Sequence, residues 1–353
     1  MKMEEEPASG FSKFRLTPRK ALRLSSETMI STRYFDDEQR FPLLIEPRME
    51  SVNLVAWAQS NREMIERELL NHGALLFRNF NLSNAVNLEL FIKAASGQLL
   101  EYQERSSPRS HVSGNIYTST DYPSDQSIFL HNEQSYNTVF PKKIVFFCVT
   151  PAQQGGETPI ADTRRIFARI SPPVREQLMR RNYMYVRNFG DGFGLSWQAA
   201  FQTTDKHAVE AYCRANDIRF QWKDGNRLRT SQVRQTVARH PHSGDIVWFN
   251  HLTFFHISTL ESRIRHDLLA QFTEEELPNN TYYGDGATIE PAVMDELREA
   301  YLSEKVTFRW QAGDILMLDN MLASHGREPF VGERRVLVGM SDTQSWEGIG
   351  YSG

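Results

Sequence analysis

Apolar residues follow two patterns along this chain: short runs that are typical of buried strands, and spaced positions that are typical of amphipathic helices. Ser60 and Glu63 match a helix-capping box, and the helix that they begin is predicted to end at Gly73. The apolar run 74–80 then predicts a buried strand, and the apolar spacing over 84–96 predicts a second helix. This part of the chain therefore mixes helices with strands.

Further along, strand-like runs outnumber the helical patterns. The predicted strands are 143–149, 183–189, 217–222, 230–239, 245–250, 305–310, 314–319 and 334–341, and the predicted helices are 163–169, 173–181, 205–215 and 289–302. Many short strands with a few peripheral helices indicate an α+β protein whose all-β core is a jelly-roll or cupin-like double-stranded β-helix. In that architecture a strand from early in the barrel lies beside one from near its end.

No repeat of fixed period and no low-complexity linker divides the sequence. Residues 49–353 are therefore predicted to form a single domain with helical insertions. Residues 1–48 are polar and rich in arginine and glutamate, with few apolar clusters, which indicates an N-terminal tail or extended arm.

Composition and charge are those of an ordinary globular protein. The chain has 353 residues, of which 40% are hydrophobic and 24% are charged, and its formal net charge is −4. This balance, without a long run of like charges, argues against a nucleic-acid partner and against a polybasic membrane anchor. The few cysteines and the lack of a secretory signal pattern or a membrane-spanning run predict a cytoplasmic protein.

A His-x-Glu pair ends the apolar run that begins at Ile128. Residues i and i+2 of an extended strand share a face, so His131 and Glu133 are predicted to project side by side. His325, which follows the predicted strand 314–319, is the candidate for a third ligand. Two histidines and one carboxylate with open positions form the facial arrangement of non-haem Fe(II) oxygenases. Because the chain has ten histidines, an ordinary half-buried strand face is the competing interpretation.

The adjacent residues Arg334 and Arg335 give a second signal, because they begin a strand-like run soon after His325. Strand alternation puts them on opposite faces, so one guanidinium is predicted to point inward, where it needs an anion. A guanidinium suits a carboxylate through two parallel hydrogen bonds. A structural ion pair with one of the acidic residues is the alternative.

Together these motifs resemble those of the TauD/TfdA-like Fe(II)/2-oxoglutarate-dependent dioxygenases. The resemblance covers residues 70–342, and the order and spacing of its motifs are more specific than any motif alone. The stretch 244–251 is similar to the syringomycin-type branch, whose members often act in natural-product assembly. The matching motifs are His131-Asn132-Glu133, Gly155-Gly156-Glu157-Thr158, the stretch 313–320, His325 and Glu333-Arg334-Arg335.

The resemblance implies a role for each motif. His131, Glu133 and His325 would bind Fe(II) and form the catalytic centre, and Thr158 and Arg335 would hold the distal carboxylate of 2-oxoglutarate. The reaction would consume O₂, convert 2-oxoglutarate to succinate and CO₂, and hydroxylate the substrate.

Two positions limit the reaction type. A carboxylate at Glu133 favours oxygenation over chlorination, because halogenating members of the family have a small residue there. Taurine-type members carry an additional arginine at the position that corresponds to Gly339, so a sulfonate substrate is not expected.

The predicted substrate is an amino-acid-like small molecule of secondary metabolism, either free or tethered to a carrier protein. Desaturation, epoxidation and ring formation on the same scaffold are alternatives, as is a non-catalytic cupin-like binder of metal or small molecules. The candidate substrate contacts are Arg105, Arg109, Trp248, Asn250 and His251. Solvated surface arginines, core aromatics and a structural histidine are the competing interpretations of these residues.

Overall fold

The structure is a computed structural model that describes residues 29–35, 40–101, 110–119, 121–190 and 194–351. Strands account for most of its regular elements. They are β1 (Ile30–Tyr34), β2 (Leu43–Pro47), β3 (Ala74–Phe77), β4 (His111–Ser113), β5 (Ile116–Thr118), β6 (Ile128–His131), β7 (Val139–Thr150), β8 (Gln154–Gly155), β9 (Ile160–Asp162), β10 (Tyr183–Phe189), β11 (Arg219–Lys223), β12 (Arg227–Arg234), β13 (Val237–Arg239), β14 (Ile246–Trp248), β15 (Asn279–Tyr283), β16 (Ile315–Asp319), β17 (Ala323–Arg327), β18 (Phe330–Val331) and β19 (Arg335–Ser345).

Helices lie between the strands along the described chain. They are α1 (Leu54–Ser60), α2 (Arg62–His72), α3 (Ala85–Ala95), α4 (Thr163–Arg169), α5 (Pro172–Arg181), α6 (Trp197–Phe201), α7 (Lys206–Ala215), α8 (Leu252–Phe255), α9 (Ser262–Gln271) and α10 (Pro291–Ser303), with 3₁₀ turns at Asp224–Asn226, Ile257–Thr259 and Glu274–Glu276.

One large sheet organises the strands. Its eight strands run in the order β1-β2-β3-β16-β7-β19-β5-β4, and a three-stranded sheet has the order β6-β17-β9. A four-stranded sheet has the order β11-β12-β10-β15, and two-stranded sheets are formed by β13 with β14 and by β18 with β8. Among the residues that the structure describes, every strand pair is antiparallel except β2 with β3.

The large sheet is buried on both faces, so its central strands are apolar at nearly every position. On β7, Val145 and Phe147 pack into one core cluster, which also contains residues of α1, α2 and α3. Phe146 and Cys148 point the other way, into a cluster shared with Ile160 of β9 and with β17. This second cluster fills the space between the large and the three-stranded sheets. The predicted double-stranded β-helix with peripheral helices is confirmed.

Two helices on the outer face, α2 and α3, begin and end where the sequence signals indicate, to within a residue or two, whereas α1 was not predicted. α2 ends at Gly73, whose φ of 74° is in the left-handed region. Its N-cap is Asn61 rather than the predicted Ser60. Asn84 caps α3 by accepting a hydrogen bond from the backbone N–H of Asn87. Each large side chain that such a helix buries contributes about 1.5–3 kcal/mol.

A further layer covers the three-stranded sheet. Buried residues of β6, β10, β14, α4, α5 and α10 form one apolar cluster. Within this layer, α8 contacts β6, β10 and β15. The four-stranded sheet thereby holds α8 against the strand that carries His131.

Two predictions about the chain are corrected. Residues 30–34 and 43–47 are strands of the large sheet, and Leu44 and Ile45 are fully buried, so this part of the predicted tail or arm is packed in the sheet. Residues 1–28 and 36–39 of the same prediction lie outside the described residues. The run 305–310 is not a strand, because only Val306 pairs, through an isolated bridge to Ile160. Three apolar residues at 43–45 were too short a run to identify an edge strand from the sequence.

Candidate active site

Three side chains with metal-binding chemistry meet where β6 and β17 pair. His131 lies directly opposite His325 in this antiparallel pair. Glu133 follows two residues beyond His131, just after the strand ends. One ligand atom from each of the three residues lies within 4.8 Å of the other two, and His325 Nε2 is 3.8 Å from Glu133 Oε2.

The surroundings of the three residues fit a divalent metal ion. His131 Nδ1 is 2.9 Å from the carbonyl oxygen of Phe129, which can only accept, so Nδ1 carries the proton and Nε2 keeps its lone pair for a metal. Glu133 is 2% exposed and His325 is 4% exposed. Two imidazoles and a carboxylate in this arrangement match the donor set of non-haem iron enzymes.

Asn320 fixes the backbone of Glu133. Its Oδ1 accepts a hydrogen bond from the Glu133 N–H, and its Nδ2 donates to the Glu133 carbonyl oxygen, each at 2.8 Å. The same Nδ2 donates to the carbonyl oxygen of Pro141 at 2.7 Å. Asn320 itself is fully buried at the end of β16, so the turn between β16 and β17 sets the position of the carboxylate.

This turn is held by a buried hydrogen bond between His240 and Asp319. His240 Nε2 is 3.1 Å from Asp319 Oδ2, and Asp319 Oδ1 accepts from the backbone N–H groups of Met321 and Leu322. Burial, the largest effect, would by itself raise the pKa of Asp319, but the hydrogen bond that His240 donates and smaller effects bring that pKa below the ordinary value. The carboxylate therefore stays ionised and keeps the turn rigid.

An aromatic wall borders His131. The Phe254 ring centroid lies 4.5 Å from that of His131, and the His251 centroid lies 5.4 Å away. His251 Nδ1 is 2.7 Å from Ser135 Oγ. Burial, followed by the nearby His131, holds the pKa of His251 well below its ordinary value, so this imidazole is neutral. Phe254 is only partly buried, and it gives the site an apolar side.

A cationic group lies among neutral oxygens at Thr158. Arg334 donates from Nε to the Gly156 carbonyl oxygen at 2.8 Å, and its Nη1 and Nη2 are 3.3 Å and 3.5 Å from the hydroxyl oxygens of Ser119 and Thr158. Burial, followed by the charge of Arg327, lowers the pKa of Arg334 to about 10, which still leaves it charged at neutral pH. No ion pair found among the described residues includes Arg334. A partly buried guanidinium in this state is suited to an anion from solution.

Two glycines make this arrangement possible. Gly155 and Gly156 have φ values of 66° and 73°, in the left-handed region that favours glycine. A Cβ on Gly156 would lie 2.9 Å from Arg334 Cδ, and a Cβ on Gly155 would lie 2.1 Å from the Pro329 carbonyl oxygen. The Gly-Gly pair therefore serves as a tight turn that brings the Gly156 carbonyl against the arginine.

The structure corrects the choice between the two arginines. Arg335 is exposed, whereas Arg334 lies beside Thr158. Val336 and Val338, which are on the same face of the strand as Arg334, belong to the core between the two sheets. Leu337, on the other face, packs toward the outer helices. The alternation of side chains along the strand correctly placed the two arginines on opposite faces, but it did not show which face points into the barrel.

The same correction moves the position that would carry a taurine-type arginine. When the position is counted from Arg334, it is occupied by Val338, which is fully buried. Gly339 lies on the outer side, where a Cβ would be 2.5 Å from Ile92 Cδ1. Neither residue is cationic, so neither position supplies that second guanidinium.

Comparison with known proteins identifies the family. The model of the taurine catabolism dioxygenase TauD, TfdA family matches residues 39–341. The chain belongs to this family. It is a TauD/TfdA-family dioxygenase, and its cofactors are Fe(II) and 2-oxoglutarate.

Two curated relatives cover most of this TauD/TfdA-family protein. The dapdiamide synthesis protein DdaC from Enterobacter agglomerans is 42% identical over 278 residues, which are 79% of this chain and 84% of the relative. A clavaminate synthase-like protein from Arabidopsis thaliana is 26% identical over 332 residues, which are 89% of this chain and 97% of the relative.

Solved structures share the fold. The crystal structure of PvcB from Pseudomonas aeruginosa has a TM-score of 0.53 and 18% identity, and the match covers 90% of this chain and 93% of that one. The crystal structure of AAD-2 in complex with Mn(II) and N-oxalylglycine has a TM-score of 0.52 and 11% identity, with 91% and 99% coverage. At these identities the likeness shows the fold alone.

The predicted substrate contacts have different outcomes. Arg105 and Arg109 lie outside the described residues. Trp248 is fully buried in the apolar cluster behind β6, and both ends of the Asn250 amide bind backbone groups, of Thr236 and Leu252. Trp248 therefore packs in the core and Asn250 fixes the local backbone, and their role as substrate contacts stays a prediction. His251 does lie beside His131, although only 1% of it is exposed.

Sequence reasoning missed three residues of this dioxygenase site. Asn320 ends the family-like stretch 313–320, and a polar residue directly after an apolar strand is the sequence signal for a turn there. Phe254 and Trp310, whose indole Nε1 donates to Thr158 Oγ1, gave no local signal, because their roles depend on distant partners.

No helix among the described residues is long and apolar enough to cross a membrane.

Proposed function

We propose that the protein hydroxylates an amino-acid-like small molecule, with Fe(II) held by His131, Glu133 and His325 and with the distal carboxylate of 2-oxoglutarate held by Arg334 and Thr158. The names of two relatives, a dapdiamide synthesis protein and a clavaminate synthase-like protein, support a role in the biosynthesis of such compounds. Val338 and Gly339, neither of which carries a charge, speak against a taurine-type sulfonate.

The observation that carries the proposal is the combination of the two sites. A cluster of two imidazoles and a carboxylate lies on the same β17–β9 side of the barrel as a guanidinium that bonds only to neutral oxygens. The first binds a metal ion and the second binds an anion, and 2-oxoglutarate has a chelating 2-oxo acid at one end and a carboxylate at the other. A metal-binding protein without this cosubstrate has no use for the second site.

Each residue of the metal site and of the anion site has a defined task in this proposal. Bound Fe(II) supplies the activation of O₂ and of the 2-oxo acid. His131 presents Nε2 because its Nδ1 proton is held by Phe129, and Asn320 orients the Glu133 carboxylate through its backbone. Arg334 and Thr158 orient the cosubstrate, and the ring of Phe254 keeps water away from the side of His131.

Three narrower points belong to the same proposal. Hydroxylation is the proposed outcome, and desaturation, epoxidation and ring formation on the same scaffold are its alternatives. We infer that the substrate arrives either free or tethered to a carrier protein. Cys148 and Cys213 are both free thiols, which is consistent with a reducing, cytoplasmic location.

The test is an anaerobic titration of the metal-free protein with Fe(II) and then with 2-oxoglutarate, followed by visible absorption. Chelation of Fe(II) by the 2-oxo acid should give a charge-transfer band in the wild type, and His131→Ala should abolish it. His207→Ala, which removes an exposed histidine far from the triad in sequence, is the control and should keep the band.

The product assay completes the test. Candidate amino acids, free and loaded on a carrier protein, should be screened for substrate-stimulated succinate formation, and product mass should show the gain of one oxygen atom. Loss of two hydrogens without added oxygen would instead indicate desaturation or ring formation. A wild-type protein that binds Fe(II) but gives no band with 2-oxoglutarate would be a non-catalytic binder.

A further inference from the structure

A buried indole contacts the hydroxyl group of the anion site. Trp310 Nε1 donates to Thr158 Oγ1 across 3.1 Å. Both residues are buried, with 4% of Trp310 and 2% of Thr158 exposed. Trp310 lies in the segment between α10 and β16, and its ring packs edge-on against Phe308 with centroids 5.2 Å apart. The indole is therefore fixed in place before any ligand arrives.

The hydrogen bonds around Thr158 determine where its hydroxyl proton points. A threonine hydroxyl has one O–H to donate and two lone pairs to accept with, whereas an indole N–H and a guanidinium only donate. Trp310 Nε1 takes one lone pair of Thr158, and Arg334 Nη2, at 3.5 Å, faces the other. The hydroxyl proton must then point away from both donors. Among the described residues, no acceptor is found within hydrogen-bond distance of it.

We propose that Trp310 is a positioning residue that turns the Thr158 proton toward the distal carboxylate of 2-oxoglutarate. This inference rests on the proposed function. With the indole in place, a carboxylate bound by Arg334 receives the threonine proton without any rotation of the hydroxyl. Without the indole, the Thr158 hydroxyl can adopt several orientations. Fixing it in the one orientation that donates to the carboxylate then costs conformational entropy on binding.

The arrangement also makes the site selective. The Trp310–Thr158–Arg334 contacts act only on a ligand oxygen at the distal end of the cosubstrate, so they should distinguish a 2-oxo dicarboxylate from a 2-oxo monocarboxylate of equal length. The pair 2-oxoglutarate and 2-oxopentanoate differs only in that distal carboxylate. Their relative affinities therefore isolate the contribution of the anion site from that of chelation to the metal.

The variant that tests the idea is Trp310→Phe, which keeps an aromatic ring and removes the N–H. Trp310→Met is made alongside it, so that a folding defect in one variant leaves the other. The matched control is Trp222→Phe, which removes an indole N–H that donates to Glu210 Oε1 at 2.9 Å, outside the site. Circular dichroism and thermal melting confirm that each protein is folded.

Affinity is read from the charge-transfer band of the Fe(II) protein under anaerobic conditions, with no turnover involved. Trp310→Phe should weaken 2-oxoglutarate binding by about tenfold, the usual size of one well-made hydrogen bond, and should leave 2-oxopentanoate binding unchanged. Thr158→Val should have a similar selective effect. The double variant should be no weaker than Thr158→Val, because both changes remove the same oriented proton.

The outcomes separate the two proposals. If the wild type binds no 2-oxoglutarate at all, the proposed function fails. If the wild type binds it but Trp310→Phe weakens both oxo acids equally, or neither, or adds fully to Thr158→Val, then Trp310 has only a packing role and the present inference is overturned.

Discussion

His325 and His131 lie directly opposite each other in the antiparallel pair of β17 and β6, with their ring centroids 4.5 Å apart. Opposite residues in a strand pair have Cβ atoms on the same face, so strand register alone brings the two imidazoles together. Close approach of the strands depends on Gly326, where a Cβ would lie 2.5 Å from the Ile128 carbonyl oxygen. The metal geometry is thus a property of the sheet rather than of a loop.

The two neighbouring arginines provide a matched pair of variants. Arg334→Gln should raise the dissociation constant for 2-oxoglutarate on the order of 100-fold, since charge-assisted hydrogen bonds are worth about 1.5–3 kcal/mol. Arg335→Gln, at an exposed position one residue away, should leave that constant within about twofold. Anaerobic titration of the Fe(II) protein measures both, and a larger effect at Arg335 would restore the assignment made from the sequence.

Asn320 should matter for metal binding as well as for stability. Asn320→Ala leaves the backbone N–H and carbonyl of Glu133 without their partner, so it should lower the free energy of unfolding by about 1–3 kcal/mol. It should also weaken Fe(II) binding by about 10–100-fold, the usual effect of removing a residue that orients a ligand.

The control for Asn320 is Asn280→Ala. Asn280 of β15 is also buried, and its side-chain hydrogen bonds join it to Ile257 and Glu274 rather than to a residue of the triad. It should lose stability while retaining Fe(II) affinity, as measured by chemical denaturation and by metal titration. Equal losses of metal affinity in both variants would mean that Asn320 acts only through global stability.

Gly156 can be tested against another glycine with the same backbone angle. Gly156 and Gly244 have φ values of 73° and 75°, so alanine at either position strains the backbone by about 1–2 kcal/mol. A Cβ at Gly244 meets nothing within 4 Å, whereas one at Gly156 meets Arg334 Cδ at 2.9 Å. Gly156→Ala should therefore weaken 2-oxoglutarate binding in addition to lowering the melting temperature, and Gly244→Ala should only lower it. Identical 2-oxoglutarate affinities would show that Arg334 adjusts freely.

Cys148 should be chemically inert in the native protein. Burial, followed by Asp314, raises the pKa of its thiol to about 12. At pH 8 the folded protein then has almost no thiolate at this position, whereas an unfolded thiol with a pKa of about 8.5 is partly ionised. Iodoacetamide at pH 8 should modify Cys148 only after denaturation, as read by peptide mass mapping. Rapid native labelling would contradict the burial of this strand.

The same shift fixes the sign of a pH effect on stability. The folded-state pKa of Cys148 lies above the ordinary value, so the unfolded chain loses this proton first as the pH rises. The contribution of this thiol to stability is complete at neutral pH and declines from about pH 8.5 upward. Cys148→Ala should therefore show a shallower fall of the unfolding free energy between pH 8 and pH 10 than the wild type. A parallel fall in both proteins would exclude this contribution.

Much of the fold followed from local patterns. The period of apolar residues placed β10 at 183–189 and α4 at 163–169, with the bounds that the structure has. The glycine after α2 and the proline at the start of α5 ended and began those helices as expected. The weakest points were short edge strands such as β2, because three apolar residues carry too little periodicity to distinguish a strand from a loop.

The sequence by itself determined the chemical types in the site: a His-x-Glu pair, a distant histidine, a Gly-Gly-x-Thr turn and an arginine pair. Only the tertiary structure decided that Arg334 rather than Arg335 faces Thr158, and that Trp310 and Asn320 hold Thr158 and Glu133. The physical reason is that alternation along a strand defines two faces without saying which of them closes over a core. That choice, and every contact between residues far apart in the chain, is made by the packing of the sheets.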